Sequence, residues 1–121
     1  HLRDGAGVLM ARLSDDEVKA LEAKHGPLLV IHITDGADES LCFKAATAAH
    51  WRRLNAADKR VMAGDDASGM VPELIARELL VHPDRVTFDA MRDEAPWLAE
   101  QAGRALCGRV GQKFKASVGE S

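Results

Sequence analysis

The sequence predicts an α+β fold: an N-terminal helix and a two-stranded antiparallel β-hairpin packed against a bundle of about four helices. Three observations carry that expectation. "LLVIHIT" (28–34) and "SLCFKA" (40–45) are apolar, β-branched runs on either side of the turn-forming "DGADE", the pattern of a hairpin. From Thr47 onward, apolar residues recur at three- and four-residue spacing, as on helices that bury one face. Ahead of the hairpin, "SDDE" (14–17) has the form of a helix start.

Each element follows in order. Ser14 can cap free amides, Glu17 completes the S-x-x-E box, and the acids suit the positive helix end. Val18 and Leu21 supply an apolar stripe, and Gly26–Pro27 ends the helix. In the hairpin, a register that gathers apolar residues on one face sets Thr34 opposite Ser40, Ile33 opposite Leu41, Ile31 opposite Phe43 and Leu29 opposite Ala45. The other face then pairs Val30 with Lys44 and His32 with Cys42, and it is expected to lie open to solvent. Thr47 opens a helix with Trp51, Leu54, Val61 and Met62 inward, and "GDDASG" (64–69) is a loop. Pro72 suits the first turn of the next helix, which buries Val71, Leu74, Ile75 and Leu79. That helix is expected to end near His82, because a residue before proline is pushed out of the α region. Asp84 then caps a short helix burying Val86, Phe88 and Met91. The last helix runs from about Pro96 to Lys113, with Leu98, Ala102, Ala105, Leu106 and Val110 inward.

The totals bound the class. A length of 121 residues suits one domain, taken as 10–121, with 1–9 read as upstream or vector-derived because Met10 opens "MARLSDDE". A content of 46% hydrophobic and 29% charged residues argues against disorder, and a net charge of −3 gives no global pull toward nucleic acid or anionic membrane. No apolar run approaches the ~20 residues that span a bilayer, and "HLRDGAGVL" lacks the centre of a signal peptide. Two cysteines far apart, Cys42 and Cys107, favour a reducing, cytoplasmic setting over a disulfide framework.

Chemistry is sparse. His82 and Asp84 could form an acid–base pair, but a helix stop followed by a helix cap explains "HPD" with no nucleophile needed. His32 beside Cys42 would be the arrangement that activates a thiol, yet no orienting group or pocket accompanies it, and a plain cross-strand pair is preferred. His25, His32, His50 and His82 show no zinc-ligand spacing. Asp35, Asp38 and Glu39 lack the alternation of a calcium loop and are read as a hairpin tip. "GDDASG" places two acids where a phosphate would sit. No catalytic, metal or cofactor site is therefore expected. Arg52, Arg53, Lys59 and Arg60, and Arg104, Arg109, Lys113 and Lys115 in the tail, form modest basic clusters that read as solvated helix faces before nucleic-acid contacts.

Two stretches go further. "EAKHGPLLVIHITDGADESLCFKAATAAHWRRL" resembles the opening of small phage tail assembly chaperones: a helix ending in a Lys-His-Gly step, a hairpin around Asp-Gly, then a Phe-Lys step into an aromatic-bearing helix. "PELIARELLVHPDRVTFDAMRDEAPWLAEQAGRALCGRVGQ" is similar to the second half of that family, and the two together cover most of residues 22–112. The resemblance implies a non-enzymatic protein of the bacterial host cytoplasm that binds the tape-measure protein and helps bring tail-tube subunits to it. Assembly as a homo-oligomer is compatible with it. The candidate partner-contacting residues are Val30, Trp51, Arg52, Arg53 and Trp97. The competing classes are a minor structural or connector protein of the virion and a small nucleic-acid-binding regulator.

Overall fold

A computed structural model describes residues 12–33 and 39–119, with the backbone alone over 111–119. The chain runs α1 (Asp15–His25), β1 (Leu28–Ile33), β2 (Glu39–Lys44), α2 (Ala48–Met62), a 3-10 segment (Asp66–Met70), α3 (Val71–Leu79), β3 (Leu80–His82), α4 (Arg85–Glu94) and α5 (Pro96–Gly119). The α+β class and the order helix, hairpin, helices are as expected. The first helix carries the full capping box: Ser14 Oγ accepts the Glu17 amide at 3.2 Å and Glu17 returns to the Ser14 amide at 2.8 Å. At α2 the return partner is a histidine, with the Thr47 amide donating to His50 Nδ1 at 3.0 Å.

The sheet departs from expectation. It has three antiparallel strands in the order β1-β2-β3, so β2 is central. The helix expected to reach His82 stops at Leu79, and Leu80 turns extended (φ −64°, ψ 132°). Pro83 disfavours helix in the residue before it, and the apolar Leu80–Val81–His82 segment finds the free edge of β2. The His82–Pro83 peptide is cis.

The hairpin register is also shifted. Leu29 faces Phe43, Val30 faces Cys42, Ile31 faces Leu41, His32 faces Ser40 and Ile33 faces Glu39. The expected pairs Ile33–Leu41, Ile31–Phe43, Leu29–Ala45, Val30–Lys44 and His32–Cys42 are thus displaced by two residues; Thr34 and the turn at 35–38 lie outside the described residues. A two-residue slip leaves every side chain on its original face. Leu29, Ile31, Ile33, Leu41 and Phe43 therefore share the core side as anticipated, with different neighbours.

That side packs under the helical layer. Phe43 and Phe88 meet edge to face, centroids 6.2 Å apart, with Leu41, Ile75, Leu79 and Leu106 around them. Helix α5 presses on α3 where Gly103 lies against the Pro72 backbone. Ala57, Pro72, Ala76, Ala99 and Cys107 take inward places that larger residues were expected to fill. Trp51, Met62, Leu74, Val86 and Ala105, all assigned to the core on periodicity, are exposed. Small residues let two helix axes approach, and the face turned inward is then the alanine face and not the bulkiest one. Leu54, Ile75, Leu79, Phe88, Ala102 and Leu106 are buried as expected.

The other face of the sheet is open to solvent at His32 but not throughout. Ser40 and Cys42 are buried there, where Leu13, just ahead of α1, bonds Ser40 and Glu22 of α1 lies close enough to act on Cys42. The Leu13 amide donates to Ser40 Oγ at 2.9 Å, and the Leu28 amide donates to Glu22 Oε2 at 3.2 Å.

Candidate functional site

The residues with chemical potential are engaged structurally. Asp84 Oδ1 accepts the Thr87 amide at 2.8 Å, as for a helix cap, and hydrogen bonding from the Thr87 side chain first and its amide second holds the carboxyl below the usual range. His82 belongs to β3 and stands across from Cys42. His32 is removed from Cys42 and instead has Nδ1 2.9 Å from Ser40 Oγ. This serine–histidine contact was not foreseen, since it depends on register alone. Ser40 is sealed and also accepts the Leu13 amide, so its oxygen has no approach for a substrate. Cys42 is fully buried, and burial pushes its thiol up, away from the thiolate a nucleophile needs; Glu22 pushes the same way.

Among the described residues, no group of three or more His, Cys, Asp or Glu side chains is placed to hold a metal ion. Of the acidic hairpin tip, Asp35 and Asp38 lie outside the described residues, and burial raises the Glu39 carboxyl. The "GDDASG" segment turns at Gly64 (φ 104°) into the 3-10 segment, with Ser68 Oγ donating to Asp65 Oδ2 at 2.9 Å.

Charged pairs stitch the helices. Arg77 forks onto Asp89 at 2.8 and 3.0 Å, and Arg92 reaches Glu73 at 3.2 Å, joining α3 to α4. Arg104 spans both Asp58 oxygens at 3.0 Å and Glu100 at 3.1 Å, joining α5 to α2. Arg104 is therefore engaged within the fold, and the side chains of Lys113 and Lys115 lie outside the described residues.

The five candidate partner contacts come from three elements. Trp51, Arg52 and Arg53 lie together at the start of α2, where Trp51 is 42% exposed and Arg53 pairs with Glu78 at 2.9 Å. Val30 is half-buried in the sheet opposite Cys42. Trp97, 57% exposed, opens α5. Asp58 on α2 meets Arg104 on α5. Sequence reasoning missed Met62 (87% exposed) and Val86 (80% exposed), whose apolar character pointed inward. Compared with protein-family models, characterised proteins and solved structures, the chain matches none.

Proposed function

We propose that the chain is a phage or prophage tail assembly chaperone that binds the tape-measure protein and assists tail-tube assembly, acting by its surface and not by catalysis. The two patterned stretches in residues 22–112 supply the class. The observation that carries the reading is the set of large apolar side chains left outside the core: Trp51, Met62, Met70, Leu74, Val86 and Trp97. Exposed large apolar side chains, tryptophans above all, are the anchors by which an apolar-striped helical partner is held. Of the described helices, none is long and apolar enough to cross a membrane. We place the protein in the cytoplasm of a bacterial host.

Co-expression with the tape-measure protein encoded in the same gene cluster tests this. A soluble, co-purifying complex is expected. Trp51→Ser or Trp97→Ser should weaken it by about tenfold or more without lowering thermal stability. An insoluble tape-measure protein that is never retained by the wild-type chain would sink the reading.

A further inference from the structure

The sheet face turned away from the core carries Val30, His32, Ser40, Cys42 and His82. Ser40 and Cys42 are sealed on it, yet the helix lying over them is poorly anchored. No residue of α1 is buried, and only Val18, Leu21 and Glu22 are half-buried. Leu13 N–H donates to Ser40 Oγ just ahead of the helix, and Leu28 N–H donates to Glu22 Oε2 near its end. Glu17 adds a weak attraction to His82. Internally α1 is well made, with the reciprocal Ser14–Glu17 box, three acids in its first turn, and Lys24 and His25 in its last. It can leave the sheet while keeping its own start and dipole partners.

The rest of the fold is held differently. Phe43, Phe88, Ile75 and Leu106 join sheet to helices in one fully buried cluster, and charged pairs link α2 to α5 and α3 to α4. Local opening follows the apolar area an element buries, and α1, with no buried residue, is an element that opens readily.

We propose that α1 is a strap that lifts from the sheet as a unit, uncovering Ser40 and Cys42 while β1–β3 and α2–α5 stay folded. The lifted state presents Val30 and Cys42 between His32, Ser40 and His82, a face that already receives a helix in the closed state. This inference does not depend on the chaperone reading.

The two cysteines report it. Both are buried, and burial holds both thiols in the protonated form. Strap opening exposes Cys42 alone, because Cys107 lies in the core cluster on α5. Full-length protein is pulsed with N-ethylmaleimide at neutral pH, and each site is read by peptide mass spectrometry. Cys42 should react at least about tenfold faster than Cys107, the difference between local and global opening. Leu21→Ala should speed Cys42 by roughly fivefold and leave Cys107 unchanged. Ser40→Ala, which removes the Leu13 anchor without opening the core face, should act in the same direction. Labelling of both cysteines at one rate, or parallel acceleration of both in the variants, would overturn the proposal. Should Leu21→Ala not fold, the wild-type ratio and the Ser40→Ala response decide it.

Discussion

Two glycines on α5 have opposite roles although sequence makes them alike. A Cβ at Gly103 would be driven into the Pro72 carbonyl, 2.7 Å from its carbon, whereas one at Gly108 meets nothing within 4 Å. Gly103→Ala should therefore force α3 and α5 apart and destabilise by about 1–3 kcal/mol. Gly108→Ala should stabilise by about 0.5–1 kcal/mol, since alanine orders a helix interior at lower entropic cost. Urea unfolding of the two variants checks the pair, and a loss at both would mean that the α3–α5 approach is misassigned. The small residues of "QAGRALCGRVG" mark a helix suited to close packing, but they do not show which of its glycines a neighbouring backbone passes.

At the scale of elements, faces were readable and partners were not. Alternation put Leu29, Ile31, Leu41 and Phe43 on one side, and they line the core. Ile31→Lys should accordingly cost several kcal/mol by burying an unpaired charge, while His32→Lys, on the exposed neighbour, should cost under about 1 kcal/mol. Thermal unfolding separates them, and equal losses would reverse the face assignment. Register and the third strand escaped, because both depend on where β3 returns. The "HPD" corner was legible as a break and a cap. Asp84→Ala should remove about 1 kcal/mol with no other consequence, as measured by chemical unfolding.

Across the whole molecule, acid response follows from carboxylates engaged in the folded state. Arg104 lowers Asp58, Arg53 and then His50 lower Glu78, Thr87 lowers Asp84, Arg77 lowers Asp89, and Ser14 lowers Glu17. A carboxyl depressed on folding contributes stability that is complete above its unfolded value and is lost as pH falls through the folded one. Glu39, raised by burial, acts in the opposite sense but alone. Five against one gives the sign. The melting temperature should stay level from neutral pH to about 5 and fall below about pH 4, where free Asp and Glu titrate. Because these pairs are largely exposed, 0.5 M salt should shrink the acid-sensitive part. A melting temperature that rises on acidification would contradict this assignment.

By itself the sequence determined the class, the order of the helices and the hairpin, the capping at Ser14 and Asp84, and the faces of the hairpin. Each of those is written in residues a few positions apart, where propensity, capping and alternation act. Tertiary structure alone decided the third strand, the shifted register, the sealing of Ser40 and Cys42 beneath α1, and the exposure of Trp51, Met62, Leu74 and Val86. Those outcomes depend on how closely helices can approach and which strand edge remains free. Gly103 against Pro72 and Leu80–His82 on β2 settle both, through contacts between segments distant in the chain.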